Sequence, residues 1–175
     1  GLDPNLTLFR DDVDFGWRAR AAGHSVMVAT AAVAFHAQAS ATERRVVEVD
    51  GAFLHRPLLL DRRNAAYVLL ANSSWWILPW VVIQLFGSAV ARSIGYLLAK
   101  LPGYASDEIL AVGAVIVKPG SIIAARKVRK KQRFVSARVI AEFIPPRWSQ
   151  IRLASENIVE EIRSKLFPED NQSSA

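Results

Sequence analysis

From Asn64 to Ala91 no side chain is charged, while charged residues are dense on both sides of that run. As a single helix the run would reach about 42 Å, more than a hydrocarbon core of ~30 Å needs. Asn72, Ser73 and Ser74 interrupt it and read as one helix end followed by the cap of another. If the next helix begins at Trp75, its uncharged part to Ala91 is roughly 25 Å long, at the short limit for a span. The pattern therefore predicts a helix that crosses the membrane. The alternative is one lying in the interface with Trp75, Trp76 and Trp80 at headgroup depth.

The pattern on the N-terminal side is different. Asp11 is placed to cap a helix over about Asp12 to Ala22, with acidic residues in its first turn, Arg18 and Arg20 further along, and Gly23 as its stop. VMVAT and AVAF follow as short β-prone runs that end at His36. Loop, helix, strand and strand make an α/β fragment too small to bury a core alone. On the far side, Pro145 and Pro146 break the chain. After them Ile151, Leu153, Ile158, Ile162 and Leu166 recur at helical spacing, predicting an amphipathic helix. The expected organisation is an α/β piece over 1–45, a linker over 46–63 and membrane-spanning or interfacial helices over 64–125. Basic and then amphipathic cytoplasmic helices follow over 126–167, with a frayed tail over 168–175. The opening "GLDPNLTLFRDD" has no initiator Met and predicts a C-terminal portion of something longer.

Charge sharpens the membrane expectation. The net is +6, and a basic balance beside a long apolar segment favours an anionic membrane surface over nucleic acid. The basic run Arg126, Lys127, Arg129, Lys130, Lys131 and Arg133 lacks the interleaved aromatics that stack bases, so no nucleic-acid partner is expected. Arg56, Arg62 and Arg63 precede the apolar run, and by the positive-inside rule both flanks want the cytoplasm. A hairpin returning through Ile109–Ala125 would satisfy both, although Lys118, Pro119 and Gly120 weaken it. Otherwise the later helices lie flat with their basic face on anionic lipid. Zero cysteines exclude a disulfide framework and any thiolate metal site.

The candidate chemistry sits in LFRDDVDFGWRARAAGH. Asp11, Asp12 and Asp14 can be the ordinary acidic start of a helix, with Arg18 pairing to Asp14 at i, i+4 and Trp17 in the core. The longer string DDVDFGWRARAAGHSVMVATAAVAFH, however, resembles the acidic catalytic region of family 2 glycosyltransferases, which have the GT-A fold. There an acidic pair, a hydrophobic residue, another Asp and an aromatic or aliphatic residue precede Trp-Arg, a small-residue helix ending in Gly, a strand and a terminal His. Asp11 and Asp12 match the pair, Val13, Asp14 and Phe15 the next positions, Trp17 and Arg18 the Trp-Arg, Gly23 the helix end and His36 the histidine. The text HRPLLLDRRNAAYVLLAN looks like that of large membrane-associated actinobacterial members, and the spacing from Asp12 to His36 is similar to that in galactofuranosyl-type transferases.

The resemblance implies an inverting transfer of sugar from a nucleotide-diphosphate donor to a cell-envelope glycan or lipid-linked saccharide at the cytoplasmic face of the cell membrane. Asp12 would be the base on the acceptor hydroxyl, with Asp11 and Asp14 orienting it. Trp17 and Arg18 would contact substrate, and His36 would join the shell of a divalent Mn or Mg ion. Two features depart from the family. The first acid is Asp where Glu is commoner, and the family's nucleotide-binding half, with its Asp-x-Asp metal motif on an earlier strand, is absent from these residues, so this chain alone is expected to bind a nucleotide sugar poorly. The rival expectation is a non-catalytic membrane-anchoring or assembly module whose acids only cap.

Overall fold

The computed structural model of the chain describes residues 1–33 and 56–143, together with Val159 and Arg163, which are helical and exposed. His36, His55 and nearly all of the helix expected after the two prolines lie outside the described residues. Within them the elements are α1 (Asp11–Ala21), α2 (Pro57–Asn72), a 3-10 turn (Trp75–Ile77), α3 (Leu78–Leu98), α4 (Pro102–Val117), α5 (Pro119–Gln132) and α6 (Ala137–Ala141).

The α/β expectation is overturned, because the described residues contain no strand. Val26–Thr30 is irregular, with Met27 and Val28 exposed by 85% and 88%. β-branched side chains favour a strand only where a neighbouring strand and a buried face receive them, and VMVAT has neither among the described residues.

Local chemistry explains the helix boundaries. Pro57, Pro102 and Pro119 each open a helix, where the missing N–H has no intrahelical partner to lose. Ser73 and Ser74 are extended, so α2 ends where the polar interruption predicts. Residues 57–63, expected as linker, are the first turns of α2. Gly23 ends α1 at φ 91°, as expected. Asp11, by contrast, is the first helical residue and caps nothing. The capping position belongs to Arg10, in the left-handed region at φ 64°.

Phe9 is left-handed as well, at φ 62°. Two successive non-glycine residues of this kind cost on the order of 1–3 kcal/mol each and persist only when surroundings hold them. Here α2 does so: the fully buried Asn64 donates to the carbonyls of Leu8 and Phe9, and Arg10 grips Asp61 through Nε and Nη2 at 2.7 and 2.9 Å.

Helix α4 packs against both α2 and α3, and Ala66, Ala89, Ala105 and Ala111 on these three helices are buried. Glu108, fully buried on α4, receives Arg62 Nε of α2 at 2.9 Å and Arg92 Nε of α3 at 2.7 Å. Arg56 pairs with the neighbouring Asp107. These pairs join the starts of α2 and α4, which run parallel, to the later half of α3, which runs against them. At the other end Leu70, Val81 and Val115 form one apolar cluster. The outward face of α3 keeps Trp80, Ile83, Phe86, Val90 and Ile94 exposed at helical spacing. The Trp75–Leu98 segment of 24 residues is long and apolar enough to cross a membrane, whereas α4 and α5 reach that standard only jointly across a 66° bend. The continuous return through Ile109–Ala125 is thus broken at Lys118.

Candidate functional site

Successive residues on α1 are rotated by about 100°, so Asp12 and Asp14 face opposite ways. Asp14 points inward and is fully buried. Its Oδ2 accepts Arg18 Nε at 2.7 Å, and its Oδ1 accepts Asn72 Nδ2 at 2.9 Å and pairs with Arg129 Nη2 at 2.9 Å. Arg129 Nη2 also reaches Asp3 Oδ2 at 2.6 Å. Tyr67 donates to the same Asp3 oxygen at 2.9 Å and lies beneath the Arg129 guanidinium. One ionic network therefore ties the N-terminal loop, α1, α2 and α5 together.

The network shifts its own protonation equilibria. Burial raises the Asp3 carboxyl, but hydrogen bonds from Asn5 and Tyr67 together with the Arg129 charge outweigh it and hold Asp3 below its ordinary value. Burial, then the hydrogen bond to Asp3 and its charge, push the Tyr67 phenol up to about 12.

The other two acids are placed differently. Asp12 is exposed, and among the described residues its Oδ1 accepts only the Val13 N–H, at 2.7 Å. Asp11 is half-buried and makes no ion pair among the described residues. Trp17 packs on the cluster of Leu6, Tyr67, Val68 and Ala71, and so is core. Arg18 is held by Asp14 and by the Gly1 carbonyl, the i, i+4 pairing that spacing alone suggests. The structure thus leaves Asp11 and Asp12 on the solvent side and takes Asp14, Trp17 and Arg18 into packing. His36 lies outside the described residues. Among those described, no three His, Cys, Asp or Glu side chains gather to hold a metal ion, and Asp14 has both oxygens engaged.

Sequence inspection missed Arg129, Asp3, Asn72 and Tyr67. Asn72 carried a signal, as a strongly polar side chain within an apolar helix, which needs a partner when buried. Arg129 was hidden within a run of cations.

A second polar concentration lies at the C-terminal end of α2. Arg126 donates to the carbonyls of Leu70 and Ser73, and Arg133 Nη2 donates to Asn72 O at 2.7 Å. These guanidiniums take up carbonyls that a helix end leaves unpaired. Beside them opens a cavity of about 530 Å³ that is also lined by Trp75, Ile123, Lys127 and Lys130.

Comparison with protein-family models, curated proteins and solved structures returns no match for this chain.

Proposed function

We propose that this chain forms the acceptor-side edge and membrane-docking part of an inverting sugar transferase, working at the cytoplasmic face of the cell membrane. The donor is a nucleotide-diphosphate sugar and the acceptor a cell-envelope glycan or lipid-linked saccharide. The observation that supports this reading is the division within the acidic cluster. Asp14 is consumed by packing, while Asp12, two positions away, is exposed and has no cation partner among the described residues.

In this role an Asp12 carboxylate oxygen takes the proton of the acceptor hydroxyl as the new glycosidic bond forms, and the nucleotide diphosphate departs with the electrons of the bond that breaks. Asp11 stands beside it to orient the acceptor. Asp14 and Arg18 act through position alone, fixing α1 against α2 so that the Asp12 edge is rigid. The divalent ion implied by the resemblance would supply positive charge to the leaving group. Its ligands would have to include residues beyond those described, and no step here depends on it.

The test is Asp12→Asn in membranes from cells expressing the whole gene product, with transfer followed from radiolabelled nucleotide sugars. Transfer should fall by about a hundredfold or more, the lower range for a lost general base. A specific observation also favours the rival anchoring module, since the network around Asp14 accounts for one acid with no chemistry. If Asp12→Asn retains full transfer, the anchoring module is the correct reading.

A further inference from the structure

We propose that the cavity between the end of α2 and α5 is a binding site for a phosphate group carried on an apolar chain, that is, the headgroup of a phospholipid. It rests on membrane contact by α3 and is independent of the sugar-transfer chemistry.

Three features of the cavity point the same way. First, among the described residues its lining includes Arg126, Lys127, Lys130 and Arg133 and no carboxylate. The acids nearest in the network, Asp3 and Asp14, are already paired with Arg129 at the cavity's wall. Both arginines are held in place by α2 carbonyls, which are dipoles and not neutralising charges, while Lys127 and Lys130 are exposed. Burial, and after it the neighbouring Arg133 and Arg129 charges, lower the Arg126 guanidinium from its ordinary value.

Second, Arg129 is only 7% exposed, yet its Nη1 has no hydrogen-bond partner among the described residues. A buried guanidinium N–H without an acceptor is an uncompensated donor, and the residue that carries it forms part of the cavity lining. Phosphate oxygens match the requirement, because they accept several charge-assisted hydrogen bonds from arginine and lysine at once.

Third, one side of the cavity is apolar. Trp75 and Ile123 line it, Trp75 stacks on Trp76 at 3.6 Å, and from there the exposed stripe of α3 runs away through Trp80, Ile83 and Phe86. A free phosphate would use the cations and leave that continuation unused. A phospholipid would use both, with its phosphate among the cations and its acyl chains alongside α3. Indole rings favour the headgroup depth at which such a phosphate lies.

The experiment is vesicle co-sedimentation of the purified chain. Vesicles are phosphatidylcholine alone, or mixed with phosphatidic acid or phosphatidylglycerol at matched surface charge. Lys127→Gln/Lys130→Gln removes two exposed cavity cations that make no hydrogen bond among the described residues. Lys131→Gln/Arg138→Gln removes two exposed cations outside the cavity and serves as the charge control. The expected result is tighter binding to phosphatidic acid, whose phosphate is least obstructed, than to the charge-matched vesicles. That preference falls about tenfold or more in the cavity variant and less than about threefold in the control. Equal losses in the two variants, or no lipid preference, would show diffuse attraction to charge and overturn the site. Displacement by inorganic phosphate at millimolar levels with constant ionic strength would instead assign the cavity to a soluble phosphate and overturn the lipid. Failure of the unaltered chain to sediment with any vesicle would count against membrane contact itself, a result distinct from either of these.

Discussion

Asp14 and Asp12 stand two positions apart and differ in nearly every physical respect. Removing one partner of a buried, hydrogen-bonded ion network leaves the others desolvated without compensation, typically at 3–5 kcal/mol. Asp14→Ala should therefore lower unfolding stability by about 3–5 kcal/mol in urea titrations, while Asp12→Ala stays within about 0.5 kcal/mol, as exposed substitutions do. The network also fixes a pH dependence. Asp3 ionises more readily folded than unfolded, so its stabilisation is present above the ordinary Asp value and is lost as pH falls through its lowered folded value. Tyr67 is the opposite case: its contribution is intact below the ordinary tyrosine value and is lost as pH rises through about 12. A spectroscopic phenolate titration should accordingly show one tyrosine ionising near 12, and unfolding should bring it back to about 10. The Arg18–Asp14 pair was legible in the sequence because it is a helix-spacing effect. Arg129–Asp3 was not, since 126 positions separate the partners and only the assembled helices bring them together.

At the scale of elements, punctuation by proline, serine and glycine proved readable. The end of α2 at Asn72–Ser74, the bend at Lys118 and the stop at Gly23 all follow from residues with a local mechanism. The strand at Val26–Thr30 was misread because strand formation depends on a partner that local composition does not report. Another turn was not anticipated: after α3, Leu101 N–H bonds to the Tyr96 carbonyl and Lys100 N–H to Leu97, a Schellman closure with Lys100 at φ 61°. That conformation costs a side-chain-bearing residue roughly 1 kcal/mol that glycine does not incur. Lys100→Gly should consequently raise the thermal midpoint, by an amount equivalent to up to about 1 kcal/mol, and a lowered midpoint would contradict the left-handed turn.

At the scale of the whole molecule, two separate ionic clusters tie the described helices together beside the apolar contacts between them. Glu108 anchors one cluster by uniting α2, α3 and α4 through Arg62 and Arg92. Glu108→Gln should destabilise by about 3–5 kcal/mol, whereas Glu142→Gln on the exposed surface should be neutral. Arg129 and Asp14 anchor the other cluster and carry α1 with them. A long apolar helix flanked by basic residues was visible in the sequence, and its composition is what suggested a membrane. The all-helical framework that supports α1 was not visible, because a motif resemblance carries information about order along the chain and none about which helices receive it.

The most direct test compares Asp12→Asn and Asp14→Asn in the same membrane preparation, measuring sugar transfer together with the thermal midpoint. A transferase with Asp12 as its base predicts that Asp12→Asn abolishes transfer at an unchanged midpoint, while Asp14→Asn loses transfer only in step with folding. Undiminished transfer by a folded Asp12→Asn protein would contradict the assignment and leave the chain as a membrane anchor.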